Sequence, residues 1–128
     1  MTAIQPINPS NFNKPLGHYS YAVRAGDFIF VSGLLPALPD GQKLTGASFE
    51  DQAKQTLQNL DDVLRAAGVD RSKLVQVRVY LTDIEEWGAF NAIYAEWMGE
   101  HRPARCVVPV PQLHYGLAME IEATAFAG

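Results

Sequence analysis

One stretch of the chain, residues 48–67, repeats its apolar residues with the period of a helix, and the stretches around it alternate as strands do. Spacings of four, three, four and three place these residues on one face of the predicted helix: Ala53, Leu57, Leu60, Leu64 and Ala67. Ser48 followed by Asp51 is a variant of the capping box, and Gly68 is a typical helix stop. An apolar helix face of this length needs an apolar partner surface, which the flanking strands can supply.

The strand segments alternate polar and apolar residues with a period of two. The predicted strands cover residues 19–24, 28–32, 74–81, 105–110 and 117–125, with the first two forming a hairpin. One face of the third strand is expected to carry Val75, Val77, Val79 and Leu81. Residues 1–15 are predicted to be an irregular lead-in, and residues 33–45 a loop, because both are interrupted by prolines.

A second helix is predicted to open near Asp83 and Glu86. Its apolar stripe consists of Trp87, Phe90, Tyr94 and Trp97. The resulting order, β-β-α-β-α-β-β, predicts a single α+β domain over residues 1–128, with both helices on one face of the sheet.

Composition restricts the classes of function. A net charge of −4 argues against nucleic-acid binding, because such proteins usually carry a basic patch. No apolar stretch has the length of a bilayer span and the first residues do not resemble a secretory signal, so we expect a cytoplasmic protein without a membrane partner. The lone Cys106 cannot form an internal disulfide, and His18, His101 and His114 lie far apart, so no metal site is predicted.

The strand at residues 28–32 predicts an oligomer. Phe28 and Phe30 lie on one face and Ile29 and Val31 on the other, so this strand is expected to be buried on both sides. Two helices can cover only one face of a five-stranded sheet. An identical subunit is the simplest cover for the other face.

Arg105 and Glu120 are the leading candidates for chemistry. A guanidinium can hold a carboxylate by two hydrogen bonds, and a glutamate on the following strand can move a proton. Two other interpretations remain open: Arg105 forms a structural ion pair with Glu120 or Glu122, or the glutamates lie on a solvated strand face.

Four further residues have both a structural and a functional interpretation. Tyr19 can pack or reach a ligand, and the Asn91 amide can satisfy a backbone group or face a site. Ser32, which precedes Gly33, can cap a turn or contact a ligand. Cys106 is most simply a small core residue, since it alternates away from Arg105.

Several segments together resemble the Rid family of enamine and imine deaminases, also called YjgF-like proteins. The resemblance spans nearly the whole chain, and its strength lies in the order and spacing of the pieces. The matching pieces are residues 17–23 (GHYSYAV), 30–33 (FVSG), 52–60, 66–68 (AAG), 79–83 (VYLTD), 90–94 (FNAIY), 103–105 (PAR) and 120–123 (EIEA).

The resemblance implies a chorismate-mutase-like subunit with a mixed sheet, a homotrimer whose sheets form a central barrel, and ligand clefts between subunits. It implies that Arg105 binds the substrate carboxylate, that Glu120 positions or activates water, and that Tyr19 assists. Substrate-binding positions implied for the cleft are Arg105, Ser32, Gly33, Asn91 and Cys106. The products would be a 2-oxo acid and ammonia, formed without a cofactor, from small substrates such as 2-iminopropanoate.

The leading hypothesis is therefore a deaminase for 2-imino or enamine acids released by a pyridoxal-phosphate enzyme or an amino-acid oxidase. The alternative is a non-catalytic trimer that senses a small carboxylate or binds a protein through the same clefts. A ribonuclease role, sometimes attached to this family, is disfavoured by the acidic charge balance. The chain departs from the family pattern at His18, Leu34, Cys106, Val107 and His114, which leaves the identity of the substrate open.

Overall fold

The predicted long helix is present in the computed structural model, which describes residues 3–128. Helix α1 spans Phe49–Ala66, and the Ser48 side chain accepts a hydrogen bond from the Asp51 backbone N–H at 3.1 Å, as the capping pattern predicts. Helix α2 spans Trp87–Met98. Both helices lie against the same face of one sheet, so the α+β class predicted from the sequence is confirmed.

The sheet has six strands in the order β1-β2-β3-β6-β4-β5. The strands are β1 Gln5–Ile7, β2 Ala22–Ala25, β3 Phe28–Leu34, β4 Leu74–Leu81, β5 Ala104–Pro109 and β6 Met119–Phe126. Only the β4–β5 pair is parallel, because α2 carries the chain back across the sheet between them. The C-terminal strand β6 enters the centre of the sheet, where it pairs antiparallel with both β3 and β4.

The first part of the chain differs from the prediction. Strand β1 lies inside the expected irregular lead-in, whose residues 1 and 2 fall outside the described part of the chain. As an edge strand that pairs only with β2, it tolerates Pro6, which lacks a backbone N–H. The next strand begins at Ala22 rather than at residue 19, and β3 continues past residue 32 to Leu34 after a register shift against β6.

Two predicted placements are wrong: Val75 does not share the buried face of Val77, Val79 and Leu81, and Cys106 is not in the core. Val75 is 44% exposed, because β4 shifts register against β6 between Leu74 and Gln76 and turns Leu74 inward instead. Cys106 is also exposed rather than part of the core. It does alternate away from Arg105 as expected, but the face it occupies is the one without helices.

One face of the sheet is buried and the other is open. Ile29 and Val31 lie in the core under the helices, whereas Phe28, Phe30 and Phe126 are 40%, 49% and 38% exposed on the opposite face. Burial of β3 on both sides is therefore not achieved within a single chain. Assembly with further copies of the chain stays a prediction, now with these three phenylalanines as the surface to be covered.

We expect light scattering to give a mass that is a multiple of the 14.1 kDa chain. Phe30→Asp should shift this mass toward that of one chain, because a charge on the open face opposes burial against a second copy. Gln58→Asp, on the exposed side of α1, adds the same charge elsewhere and should leave the mass unchanged. A monodisperse monomer for the parent protein would contradict the prediction.

Candidate functional site

Glu120 lies at the point where β6 passes β3. Its side chain projects from the open face, while its neighbours Met119 and Ile121 are fully buried under the helices. The carboxylate lies directly against Gly33, so closely that a Cβ atom at position 33 would clash with it. A side chain at position 33 would therefore force the carboxylate to move, so glycine permits its observed position against the strand backbone.

The surroundings of Glu120 favour its neutral form more than water does. Burial is the largest cause and raises the pKa of Glu120 above its ordinary value of 4.5. The neighbouring Glu122 carboxylate also raises this pKa, whereas His114 lowers it. A carboxylate whose pKa is moved toward neutrality is suited to accept and return a proton.

Glu122 has a different environment although it lies on the same strand face. It accepts a short hydrogen bond from the Tyr80 hydroxyl, and this bond is the largest of the causes that raise the pKa of Tyr80 to about 12. Glu122 is therefore engaged by Tyr80, whereas Glu120 lies against the Gly33 backbone. This difference supports the assignment of Glu120, rather than Glu122, to proton transfer.

Tyr19 lies close enough to Glu120 for the carboxylate to influence its phenol. Its ring is half exposed and packs over Gly17, where an added Cβ would lie 3.1 Å from the ring. Burial, followed by the nearby Tyr115 and Glu120, raises the pKa of Tyr19 above 10.0. The phenol therefore keeps its proton at neutral pH and can donate a hydrogen bond toward the cleft.

Tyr19 and Gly33, which adjoin Glu120, line a cleft of about 510 Å³. Its walls come from the segment before β2, from the loop between β3 and α1, and from the turn that contains His114 and Tyr115. The sequence identified His114 only as a departure from a family pattern and assigned no role to Tyr115. The 3₁₀ turn His114–Gly116, which precedes β6, brings both residues to the cleft.

Arg105 lies apart from Glu120 in the single chain. Its Cα partner in β4 is Val77, which faces the helices, and its guanidinium lies over the rings of Tyr94 and Trp87, with 4.8 and 5.8 Å to the centroids. Glu120 projects from the opposite face, and β4 lies between the two strands. Within residues 3–128 the ion pairs join other residues, so the predicted structural pair of Arg105 with Glu120 or Glu122 is not formed.

The remaining predicted residues lie in three different places. The Ser32 hydroxyl is adjacent to Gly33 and donates to the Ser20 carbonyl at 2.6 Å, a structural bond that ties β3 to the preceding segment. Asn91 is half-buried on α2, one turn after Trp87, and so belongs to the Arg105 side. Cys106 lies on the open face beside Tyr80.

The described residues contain no group of three or more His, Cys, Asp or Glu side chains placed to hold a metal ion. A search of the same residues finds no helix with the length and apolarity needed to cross a membrane.

Solved structures share this architecture. A yeast protein solved as YEO7_yeast superposes with a TM-score of 0.93 at 34% identity, over 98% of this chain and all of that chain. The Escherichia coli protein TdcF, solved with bound serine, superposes with a TM-score of 0.89 at 29% identity, over 97% of this chain and 99% of that one. The fold is therefore that of the small α+β proteins of the YjgF type.

The profile of the family described as Endoribonuclease L-PSP matches residues 10–127. The chain belongs to this family, which is the Rid (YjgF/RutC) family that its motifs resemble, so the resemblance is confirmed. It is 39% identical to the RutC family protein PH0854 of Pyrococcus horikoshii, over 94% of this chain and 95% of the relative. It is 36% identical to the chloroplastic Reactive Intermediate Deaminase A of Arabidopsis thaliana, over 86% of this chain and 59% of the relative.

The electrostatic setting of Glu120 is testable by substitution of its two charged neighbours. Glu122→Gln removes a negative charge and should lower the Glu120 pKa, whereas His114→Gln removes the charge interaction that lowers this pKa and should raise it. Carbon-13 NMR of labelled glutamate carboxyls against pH measures both shifts. The resonance that is missing from the spectrum of Glu120→Gln is assigned to Glu120. Changes of the Glu120 pKa in the same direction for Glu122→Gln and His114→Gln would contradict this description.

Proposed function

We propose that this protein hydrolyses reactive 2-imino or enamine acids to 2-oxo acids and ammonia, and that it works as a homotrimer in the cytoplasm. The observation that carries the proposal is the Glu120 carboxylate, half-buried against the Gly33 backbone at an open cleft beside the Tyr19 phenol. The similarity to a protein named a reactive intermediate deaminase supports the same reaction class. Pyridoxal-phosphate enzymes and amino-acid oxidases are the proposed sources of substrate.

In the proposed reaction, a water oxygen forms a bond to the carbon of the protonated imine while the C=N π electrons move to nitrogen. Glu120 accepts the proton that this water loses, and it then returns the proton to the nitrogen of the carbinolamine. The C–N bond breaks with its electron pair on the departing ammonia. The hydroxyl proton passes through Glu120 to solvent as the C=O bond forms, and an enamine substrate first gains a proton on carbon to become the imine.

We propose that the complete site needs two copies of the chain. Arg105 has no carboxylate partner among the described residues, and two aromatic rings hold its guanidinium at the sheet edge away from Glu120. When the open face is covered by a neighbouring copy, Arg105 of that copy can bind the substrate carboxylate while Glu120 of the first copy faces the imine carbon. This division agrees with the intersubunit clefts that the family resemblance implies.

The other proposed substrate contacts follow the same division. Ser32 and Gly33 are proposed to act with Glu120 and Tyr19, because Gly33 lies against the Glu120 carboxylate and Ser32 precedes it. Asn91 and Cys106 belong to the copy that supplies Arg105. The reaction as proposed uses no cofactor, because every proton passes between Glu120, water and substrate.

A second candidate function uses the same cleft without turnover. TdcF, a structural relative of this chain, was solved with bound serine, a small amino acid that carries a carboxylate. A trimer that senses such a ligand, or that binds a partner protein in response to it, would need the Arg105 clamp but not proton transfer by Glu120. Carboxylate binding without acceleration of imine hydrolysis would favour this candidate.

Loss of the guanidinium should affect substrate capture. Arg105→Ala is expected to lower kcat/KM for imines generated by an amino-acid oxidase by about 10- to 100-fold, since a charge-assisted two-point contact contributes about 1.5–3 kcal/mol. Arg105→Lys should restore little of this loss, because an ammonium lacks the planar fork. Arg102→Ala, which removes the same charge at an exposed neighbouring position, is the control. Parent-like turnover by an assembled Arg105→Ala protein would contradict the proposed mechanism.

A methyl group at position 33 should displace the Glu120 carboxylate. Gly33→Ala is expected to lower kcat by about 10²-fold, because small displacements of a catalytic group have effects of that order. Gly88→Ala serves as the control, since an added Cβ there meets no atom within 4 Å. Unchanged turnover in Gly33→Ala would show that the observed position of Glu120 does not matter for the reaction.

A further inference from the structure

The cleft beside Glu120 extends well beyond the space needed for an imine carbon and a carboxylate. Its volume is about 510 Å³, and much of its wall is aromatic or aliphatic. Leu16, Tyr19 and Tyr115 contribute exposed side chains, at 74%, 50% and 50% of their full accessible surface. Exposed apolar groups collected around one concave surface are typical of a site that receives an apolar ligand group.

Tyr115 is held at the rim of this cleft by an unusual backbone. Its φ of 62° and ψ of 19° lie in the left-handed region, and within residues 3–128 no other non-glycine residue has a positive φ. Gly116 follows with a φ of 66°, so the chain reverses sharply before it enters β6. Strained backbone of this kind persists where the surroundings hold it, and it occurs preferentially at functional positions.

Contacts from the loop between β3 and α1 hold Tyr115 in place. The Thr45 hydroxyl donates to the Tyr115 carbonyl at 2.8 Å, and the Lys43 ammonium lies 4.7 Å from the centre of its ring. Lys43 is itself fixed by donation to the Gly41 carbonyl at 2.8 Å. Tyr115 is therefore held by contacts to both its backbone and its ring face, in the same cleft as Tyr19.

The charged groups around the cleft leave its interior apolar. Lys43 is engaged by the Tyr115 ring and by a backbone carbonyl, while Lys14 and Asp40 carry opposite charges in the lining. His114 is exposed and borders Glu120. The positive groups of the lining are thus already engaged or balanced by a negative charge, and a carboxylate on the substrate side chain would lack a cationic partner. An apolar side chain is therefore a better ligand for this cleft than an acidic one.

We propose that this cleft is the side-chain subsite of the imino-acid substrate, that it selects bulky apolar or aromatic side chains, and that Tyr115 is the residue that determines this specificity. The proposal rests on the proposed function. With the imine carbon over Glu120 and the substrate carboxylate directed to Arg105 of a neighbouring copy, the remaining substituent enters the cleft between Tyr19 and Tyr115. A flat phenol ring with a fixed orientation provides one wall for that substituent.

The test compares imines that an L-amino-acid oxidase generates from alanine, phenylalanine and aspartate. We expect kcat/KM for the phenylalanine imine to exceed that for the alanine imine by about tenfold or more, as burial of an apolar side chain predicts. Tyr115→Asn should bring this ratio close to one, because asparagine tolerates the left-handed backbone but supplies no ring. Tyr115→Phe keeps the ring and should preserve the ratio.

A binding measurement separates this inference from the proposed function. Phenylpyruvate and pyruvate, titrated by calorimetry into the parent protein and into Tyr115→Asn, report on the subsite without turnover. If no imine is hydrolysed faster, the proposed deaminase is rejected. The subsite is still supported in that case if the parent protein binds phenylpyruvate more tightly than pyruvate and Tyr115→Asn does not. Three results would overturn the subsite. They are equal affinities of the parent protein for the two oxo acids, a phenylalanine-to-alanine ratio of kcat/KM that Tyr115→Asn leaves unchanged, and a higher kcat/KM for the aspartate imine than for the phenylalanine imine.

Discussion

The pairing of β6 with both β3 and β4 is the interaction on which the rest of the subunit depends. The last strand of the chain fills the centre of the sheet, and its alternation divides the molecule into two sides. Met119, Ile121, Ala123 and Ala125 complete the core under the helices. The intervening glutamates are left on the open face, where the neighbouring strands decide their environments.

Those environments differ although Glu120 and Glu122 are only two residues apart. Glu122 accepts a hydrogen bond from the Tyr80 hydroxyl of β4. Glu120 instead lies against the β3 backbone at Gly33, which lines the cleft. A side-chain partner satisfies the first carboxylate. Burial of the second carboxylate raises its pKa despite the opposing effect of His114, and this shift prepares it for proton transfer.

Much of the fold follows from local patterns in the sequence, and the failures have identifiable causes. The periodicity around Leu57 and Leu60 and the Ser48 cap place α1 correctly, because a helix is built from contacts within a few residues. Strand β1 was not predicted because three residues with a proline carry little local signal and pair only at the sheet edge. Val75 was misplaced because a register shift depends on the partner strand and leaves no mark in the alternation of its own strand.

For the site, the sequence by itself determined the chemical groups, the alternation that separates Glu120 from Ile121, and the family to which the motifs belong. Only the tertiary structure decided which groups meet. It placed Arg105 under α2 on the face opposite Glu120, set Glu120 against Gly33, and brought Tyr115 to the cleft through a left-handed turn. The physical reason is that alternation and periodicity report on a residue's own element. Strand order, register and the approach of distant loops arise from burial across the whole chain.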